Sequence, residues 1–527
     1  MADARLRLLD AADDADIGRF LAALDSLRPI VVLPAGLPEA AAGAALTLIA
    51  LLSRLFPHLE VEGTAQAGPN PWGLVRVEDA VAGFRAVRPA PTAPAVRAVR
   101  LTIGAVPLSA DLGAVLGIGG GDWTVRLAWS PQPLDDGAEG VRHGLGLHAA
   151  ACLAVGELLK DALKPLGMAA LALPQGDLTA ADASLVWNLI DYRRVPSLAA
   201  HTGTGDRTRL HIVLAGAGSV GTSVVGMLAL CPELRGDAVV VDPEEFDSTR
   251  NPFRYPVLLG SETGPKAPWA AAVLERAGWR AESPPGDLGN WSTSQAEAGF
   301  DGILISSVDD VSGRFDVADV LAREVISVGI GGLAFHVQRE RLGDGWACPY
   351  CEYVTAEPPL TQAHLIAAQI GLPVERVIAL QLQGAVLTEA DLATCASTRK
   401  ISPEASLRLR GHRLVDLIAG AYAEVALGAA APPGSPSTAA KATGTVALAA
   451  PHVSWLTGVI VAAELLKKAL GLPPLDRRVE VDMSGLPQGF TRRVRADTSG
   501  RCACASGVRR RWMLNLYGGR TANGTRA

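Results

Sequence analysis

Apolar and polar positions along the chain change rhythm repeatedly, and the clearest change begins at Ile212. From there the sequence reads IVLAGAGSVGTSVVGMLAL: a β-branched apolar run meets three glycines and continues as an apolar helix to Leu230. The same reading predicts strands over 210–214, 238–241 and 302–306 and helices over 220–230 and 267–276. Strands alternating with helices predict an α/β fold with a parallel sheet covered on both faces.

The pattern also repeats. LGIGGGDWTVR, from Leu116, aligns with VGIGGLAFHVQ, from Val328, and ELLKDALKPLG, from Glu157, aligns with ELLKKALGLPP, from Glu464. Upstream, RPIVVLPAG from Arg28 is the counterpart of RLHIVLAGAG from Arg209. Three anchors in one order argue for two related halves, against chance similarity in an alanine-rich chain. The first half lacks a G-x-G-x-x-G turn and reads as a degenerate copy. Between the GIGG and ELLK anchors the first half has residues 121–156 and the second residues 333–463, an excess of 95 (131 against 36). That insertion holds CPYC, Cys395 and AAPPGSPSTAAKATG, the last expected to be a flexible linker. The expected organisation is 1–200 degenerate, 201–347 active, 348–444 insertion, and 445–527 the rest of the active half with a basic tail.

At 527 residues the chain is long enough for more than one unit. A net charge of −6 gives no global basic field for nucleic acid. The N-terminal MADARLRLLDAADDADIGRF does not read as a signal peptide, and apolar runs such as 40–52 fall short of the ~20 residues of a membrane span. A cytoplasmic protein is expected, with neither nucleic acid nor membrane as partner. The closing SGVRRRWMLNLYGGRTANGTRA is expected to be a mobile, solvated tail.

The glycines suggest chemistry. Gly216 and Gly218 allow a phosphate close to the backbone, and Gly221 lets the helix pack on the strand. The helix N-terminus then favours the anion. Asp242 ends the next strand, where a carboxylate accepts from ribose hydroxyls. So far NAD, FAD, SAM and ATP fit equally. Asn251, Arg254 and Lys266, the last opening a helix, shift the balance toward a triphosphate, whose developing charge needs cations. Asp309, after the strand at 302–306, suits Mg²⁺. The competing account is surface ion pairs on a structural domain of this fold.

Taken together these residues resemble the ubiquitin-activating, ThiF/MoeB superfamily of adenylyltransferases. Its pattern is G-x-G-x-x-G, an Asp after the second strand, N-x-x-R, a Lys opening the next helix, and T-D-N-x-x-x-R. Here it reads Gly216/Gly218/Gly221, Asp242, NPFR (Asn251 to Arg254), Lys266 and VDDVSGR, with Asp309 and Arg314. The chain departs by one extra residue between Asp242 and Asn251 and by Asp310 in place of Asn. The resemblance covers residues 205–350 well and 450–505 loosely. It implies a Rossmann-like adenylation fold in which a C-terminal carboxylate attacks the α-phosphate of ATP. It also implies that Asp242 holds the ribose, that Asn251, Arg254 and Lys266 stabilise the polyphosphate, and that Asp309 binds Mg²⁺.

CPYC and CAC supply four thiolates (Cys348, Cys351, Cys502, Cys504), a tetrahedral set for structural Zn²⁺. The resembling family uses two C-x-x-C pairs, and reduced, non-ligating cysteines are the alternative. Cys395, in DLATCASTRK, stands where family members keep a thioester-forming cysteine, and Arg399 and Lys400 would favour its thiolate. An inert half-buried cysteine is equally open, as expected of Cys152 and Cys231. His452 either lines the substrate path or caps and packs a helix.

The resulting expectation is an enzyme of fused inactive and active adenylation halves, monomeric pseudo-dimer or homodimer. It would activate a ubiquitin-like β-grasp protein, form a thioester on Cys395 and pass the modifier to a conjugating enzyme. Such a system fits a bacterium, antiviral defence included. The alternatives are adenylation of a sulfur carrier or peptide without a thioester, and a non-catalytic peptide-binding protein of the same fold.

Overall fold

Two sheets are built to the same plan. The structure, a computed structural model, describes residues 14–104, 114–130, 134, 141–166, 173, 184–194, 209–247, 251–295, 299–308, 311–341, 347–348, 351, 363–364, 367, 372–383, 385–399, 450–475, 478–485, 490–492, 496–497, 499–500, 502 and 506–517. The first part runs α1 (Asp14–Asp25), β1 (Leu27–Val32), α2 (Glu39–Leu52), β2 (Glu60–Glu62), α3 (Ala80–Gly83), β3 (Arg97–Ile103), β4 (Ala114–Gly120), β5 (Thr124–Trp129), α4 (Leu145–Leu163), β6 (Ser184–Asn188). The second runs β7 (Leu210–Ala215), α5 (Ser219–Leu230), β8 (Gly236–Val241), α6 (Asn251–Arg254), α7 (Lys266–Arg276), β9 (Arg280–Glu282), α8 (Leu288–Gln295), β10 (Phe300–Ser306), α9 (Val311–Asp319), β11 (Ala322–Gly331), β12 (Ala334–Arg341). It continues with α10 (Val374–Gln383), α11 (Glu389–Arg399), α12 (Pro451–Ala469), β13 (Arg478–Asp482), β14 (Phe490–Arg492) and α13 (Gly507–Tyr517).

The first sheet has the order β2-β1-β3-β4-β5-β6 and the second β9-β8-β7-β10-β11-β12-β13-β14. Strip the two edge strands from the second and the orders coincide, β1 standing for β7, β3 for β10 and β4 for β11. In both, pairing is parallel up to β4 or β11 and antiparallel from there. The repeated GIGG marks the reversal. Gly120 closes the hairpin at φ +112°, where a Cβ would lie 2.0 Å from the Thr124 carbonyl oxygen, and the second GIGG ends on Gly332 at φ +62°. The chain is thus an α/β protein with two parallel-dominated, Rossmann-like sheets.

Helices that are apolar all round lie between the sheets, as their composition requires. Every described side chain of α4 is buried, and α12 is buried except at Lys468. α5 and α12 cross closely because small residues meet: a Cβ on Gly458 would lie 2.8 Å from Ser223 backbone atoms, and one on Gly226 would lie 2.7 Å from the Trp455 ring. Trp455 in turn stacks on Trp72 of the first part at 5.6 Å between ring centroids. One apolar core runs through both sheets, from Phe20 to Met483. Truncating a side chain as large and as buried as Trp455 would cost about 3–5 kcal/mol.

α10 and α11 carry a small core of their own, including Val377, Leu380, Leu387 and Leu392, fixed by a two-pronged Arg376–Asp391 bridge with both contacts at 2.8 Å. The candidate linker 430–444 lies outside the described residues. The closing segment departs from the expected mobile tail: residues 507–517 form a helix, and the Tyr517 hydroxyl donates to the Leu321 carbonyl at 2.6 Å and accepts from the Phe300 amide at 3.0 Å. Three consecutive arginines hid a helix anchored by one tyrosine. Among the described residues no helix is long and apolar enough to cross a membrane.

Candidate active site

The glycine turn sits at the C-terminal ends of parallel strands β7 and β8, the usual ligand edge of such sheets. Gly216 adopts φ +91°, a conformation side chains avoid. A Cβ on Gly221 would lie 2.0 Å from the Gly216 carbonyl oxygen, so the helix packs directly on its own turn. Gly218 is different. A Cβ there would meet only the Tyr255 hydroxyl, at 3.8 Å, so its bareness leaves space rather than relieving a clash. Gly218 is the N-cap of α5 and makes no side-chain cap bond, which leaves the helix start without a side-chain acceptor.

Asp242 holds the turn from the next strand. One carboxylate oxygen accepts from the Ala217 amide at 2.5 Å and the other from the Glu244 amide at 2.8 Å. Burial raises its carboxyl above the ordinary value, with these two hydrogen bonds working against the rise. Ser307, which sequence reasoning missed, supports the turn from β10: its hydroxyl donates to the Gly216 carbonyl at 2.8 Å. Its only signal was a small hydroxyl residue just past an apolar strand.

The expected cations converge on one ring. Arg254, on α6, places its guanidinium 6.0 Å from the Tyr255 ring centroid, and Lys266, opening α7, places its ammonium at 5.7 Å. The Arg254 Nε is buried without a hydrogen-bond partner among the described residues. Lys266 is 3% exposed and bonds the carboxylate of the exposed Glu244. Burial pulls the Lys266 ammonium down, but Tyr255, Glu244 and Asp242 outweigh it and hold its pKa above the ordinary value. Tyr255 and Glu244 were not anticipated; both lie in loops whose direction a sequence does not give. Asn251 is buried, and its side-chain oxygen accepts from the Asp247 amide at 2.7 Å, shaping the loop that leads to Arg254. Arg314 lies half-buried on α9. Asp309 lies outside the described residues.

An orphaned guanidinium nitrogen, a buried ammonium and an uncapped helix start form a donor set beside a bare glycine, with Asp242, Glu244 and the Tyr255 hydroxyl as the acceptors among the described residues. That set fits a polyphosphate.

His452 is not part of this edge. It is 1% exposed, packs against Gly156 of α4, and burial, reinforced by Lys160, lowers its pKa to about 3. It is a neutral packing residue of α12. Ser454, one turn in, hydrogen-bonds Ser219 of α5 at 2.6 Å.

Cys348, Cys351 and Cys502 come together with sulfurs 3.9, 3.5 and 3.4 Å apart. Tetrahedral zinc at about 2.3 Å from each sulfur would set them about 3.8 Å apart, so the three fit a metal. The Cys348 hydrogen bond, together with that from the Asp497 amide, holds the Cys351 thiol down at about 5 against its burial, as a ligating thiolate requires. Cys504 lies outside the described residues. Cys152 and Cys231 are buried, and burial raises both thiols. Cys395 falls on α11, and its side chain lies outside the described residues.

No protein-family model matches the chain. It is similar to y4jF of Sinorhizobium fredii, an uncharacterized protein 25% identical over 404 residues, spanning 74% of this chain and 72% of that one. Among solved structures it is similar to Escherichia coli MccB, with a TM-score of 0.32 and 12% identity over 58% of this chain and 66% of that chain, just under two thirds. It is also similar to MccB with MccA-N7isoASN, TM-score 0.32 and 13% identity over 58% of this chain and 68% of that one. The Microcin C7 biosynthetic enzyme MccB in complex with N-formylated MccA gives a TM-score of 0.31 and 12% identity over the same shares, 58% and 68%.

Proposed function

We propose that the protein is an ATP-dependent adenylyltransferase that activates the C-terminal carboxylate of a ubiquitin-like protein. The observation that carries this is the pairing of Arg254 and Lys266 across Tyr255, beside an uncapped helix start. Two cations there suit a chain of phosphates better than the single pyrophosphate of a dinucleotide, which the helix start alone serves.

In this reading Asp242 takes the ribose hydroxyls and the glycine turn takes the α-phosphate. Arg254 and Lys266 neutralise the β- and γ-phosphates, with Glu244 released from Lys266 as they enter. Asp309 would hold Mg²⁺, which shields phosphate charge. A carboxylate oxygen of the partner attacks the α-phosphorus, the bond to the bridging oxygen breaks, and pyrophosphate leaves with the electron pair. The acyl-adenylate then passes its acyl group to the Cys395 thiolate, releasing AMP, and from there to a conjugating enzyme. Zinc on the cysteine cluster serves structure.

The test is ATP–pyrophosphate exchange with Mg²⁺ and small glycine-ending proteins encoded beside the gene. Wild type should exchange only with the cognate carboxylate present. Lys266→Ala should lose about 10²–10³-fold, as removal of a preorganised charge partner does, with unchanged thermal unfolding. Exchange near wild type in that variant removes Lys266 from the phosphate site. No exchange with any such protein removes the proposed substrate class.

A further inference from the structure

We infer that Arg54, a residue of the first sheet's part, is a positioning residue for the polyphosphate-facing loop of the second, so that the part without a glycine turn shapes the site of the part that has one. This rests on the nucleotide reading above.

Arg54 follows α2 and has no exposed surface. Its guanidinium donates to carbonyl oxygens far away in sequence: Nε to Pro252 at 3.0 Å, and one Nη to Tyr255 at 3.0 Å and Leu258 at 2.5 Å. The other Nη returns to Ala50 at 2.5 Å. The Phe84 ring lies 5.5 Å away. Burial pulls its pKa to about 9, countered by Glu262, so it stays charged at neutral pH.

Glu262 belongs to the same loop and accepts from the Leu259 and Gly260 amides at 2.7 and 2.8 Å. Gly260, at φ +100°, lies so close to the first part that a Cβ would sit 2.9 Å from Val87. The end of α6 and the irregular segment 255–262 after it are therefore pressed against the other part and held by one buried cation.

The bonded carbonyls bracket the site. Pro252 and Tyr255 flank Arg254, and the Tyr255 ring is the surface on which Arg254 and Lys266 meet, with its hydroxyl facing Gly218. Apolar packing already joins the two parts, through Trp72 on Trp455. A buried guanidinium is costly to desolvate, and what it adds over an apolar residue is direction: several donors in a fixed fork, fixing carbonyls of α6 and of the loop after it. A site needing cations placed to within about half an ångström gains from that fork.

The experiment is titration calorimetry of the full chain with Mg·ATP and with AMP, for wild type, Arg54→Met and Arg54→Lys. AMP uses Asp242 and the glycine turn; ATP adds Arg254 of the Arg54-held segment and Lys266, which sits over the Tyr255 ring of that segment. Both variants should weaken ATP by about tenfold while AMP changes by less than about twofold. Should Arg54→Met not fold, Arg54→Lys, which keeps the charge but loses the fork, decides on the same ratio. Equal losses for ATP and AMP make Arg54 merely structural and overturn the inference, as does unchanged ATP binding in folded variants. Failure of wild type to bind ATP at all instead removes the nucleotide reading, and the inference with it.

Discussion

Lys467 donates to the Ile190 carbonyl at 2.8 Å, tying the helix behind the glycine turn to the end of β6 in the other sheet. Lys160 makes the reverse reach, to the Gly485 carbonyl beyond β13, at 3.4 Å. Each lysine closes an ELLK motif whose glutamate, three residues earlier, bonds it and accepts a leucine amide: Leu173 for Glu157 at 3.1 Å, Leu475 for Glu464 at 2.7 Å. A repeated tetrapeptide makes a repeated joint, crossed as in a two-fold interface.

The joints differ in burial, and that difference is measurable. Glu464 and Lys467 have no side-chain exposure, whereas Glu157 and Lys160 retain 4% and 10%. Lys467→Ala would remove one of the two cations at the buried Glu464 carboxylate, which keeps Arg339 at 3.5 Å and the Tyr192 hydroxyl at 2.5 Å. It should destabilise the chain by about 2 kcal/mol, with Lys160→Ala costing about half of that. Glu464→Gln added to Lys467→Met should recover part of the loss. Urea midpoints read all three, and equal costs for the two lysines would remove the distinction.

The two GIGG turns and the two ELLK pairs were legible because each meets a local requirement of the backbone or of a buried helix. GIGG turns a parallel sheet antiparallel, and ELLK puts a salt-bridged pair on an otherwise apolar helix; few other residues do either. The glycine turn was legible for the same reason, since Gly216 and Gly221 tolerate no Cβ. What stayed hidden depends on where loops go. Nothing in the sequence brings Arg54 to Pro252, Tyr255 and Leu258, or sets Tyr255 between Arg254 and Lys266. Tyr517 likewise gave no sign of anchoring the closing helix on Leu321.

Acid should weaken the fold through Glu324. Burial alone would raise its carboxyl, but Arg339 and Lys468 outweigh that and lower it from the ordinary 4.5 to about 2. A carboxyl depressed in the folded state stabilises above its unfolded pKa and loses that contribution as pH falls through the folded one. The window is therefore about pH 4.5 down to 2, with up to about 3 kcal/mol at stake. Glu324→Gln should be less stable at pH 7 and should show a flatter decline between pH 5 and pH 3 in thermal melts (about the range where wild type begins to lose the contribution). Parallel curves for the two proteins would show that Glu324 titrates normally.

Metal content follows from the sulfur cluster. Three sulfurs within 4.8 Å of one another, with Cys351 held toward the thiolate, should bind about one zinc per chain. Cys348→Ser with Cys502→Ser should abolish it, and chelation should lower the melting temperature of wild type but not of the double variant. Zinc-free protein from a zinc-replete culture, or zinc retained by the double variant, would count against the cluster.

The thioester prediction concerns Cys395. It lies on α11, in a unit with its own small core and its own Arg376–Asp391 clasp, in the segment between Cys351 and α12. In the proposed reaction the acyl-adenylate would be held at the glycine turn, so a thiol that captures it would have to be delivered there, and a separately packed helical unit is suited to such movement. The thiolate must also compete with water, and Arg399, four residues on in the sequence, would favour the anion. Enzyme, Mg·ATP and the cognate ubiquitin-like protein should give a thiol-sensitive adduct on a non-reducing gel, lost in Cys395→Ala and kept in Cys231→Ala. Cys231 is a fitting control because burial raises its thiol and keeps it inert. An adduct that survives Cys395→Ala assigns the thioester to another cysteine. Adenylate formed without any adduct favours activation for sulfur transfer or peptide maturation, in which the acyl group leaves the adenylate directly.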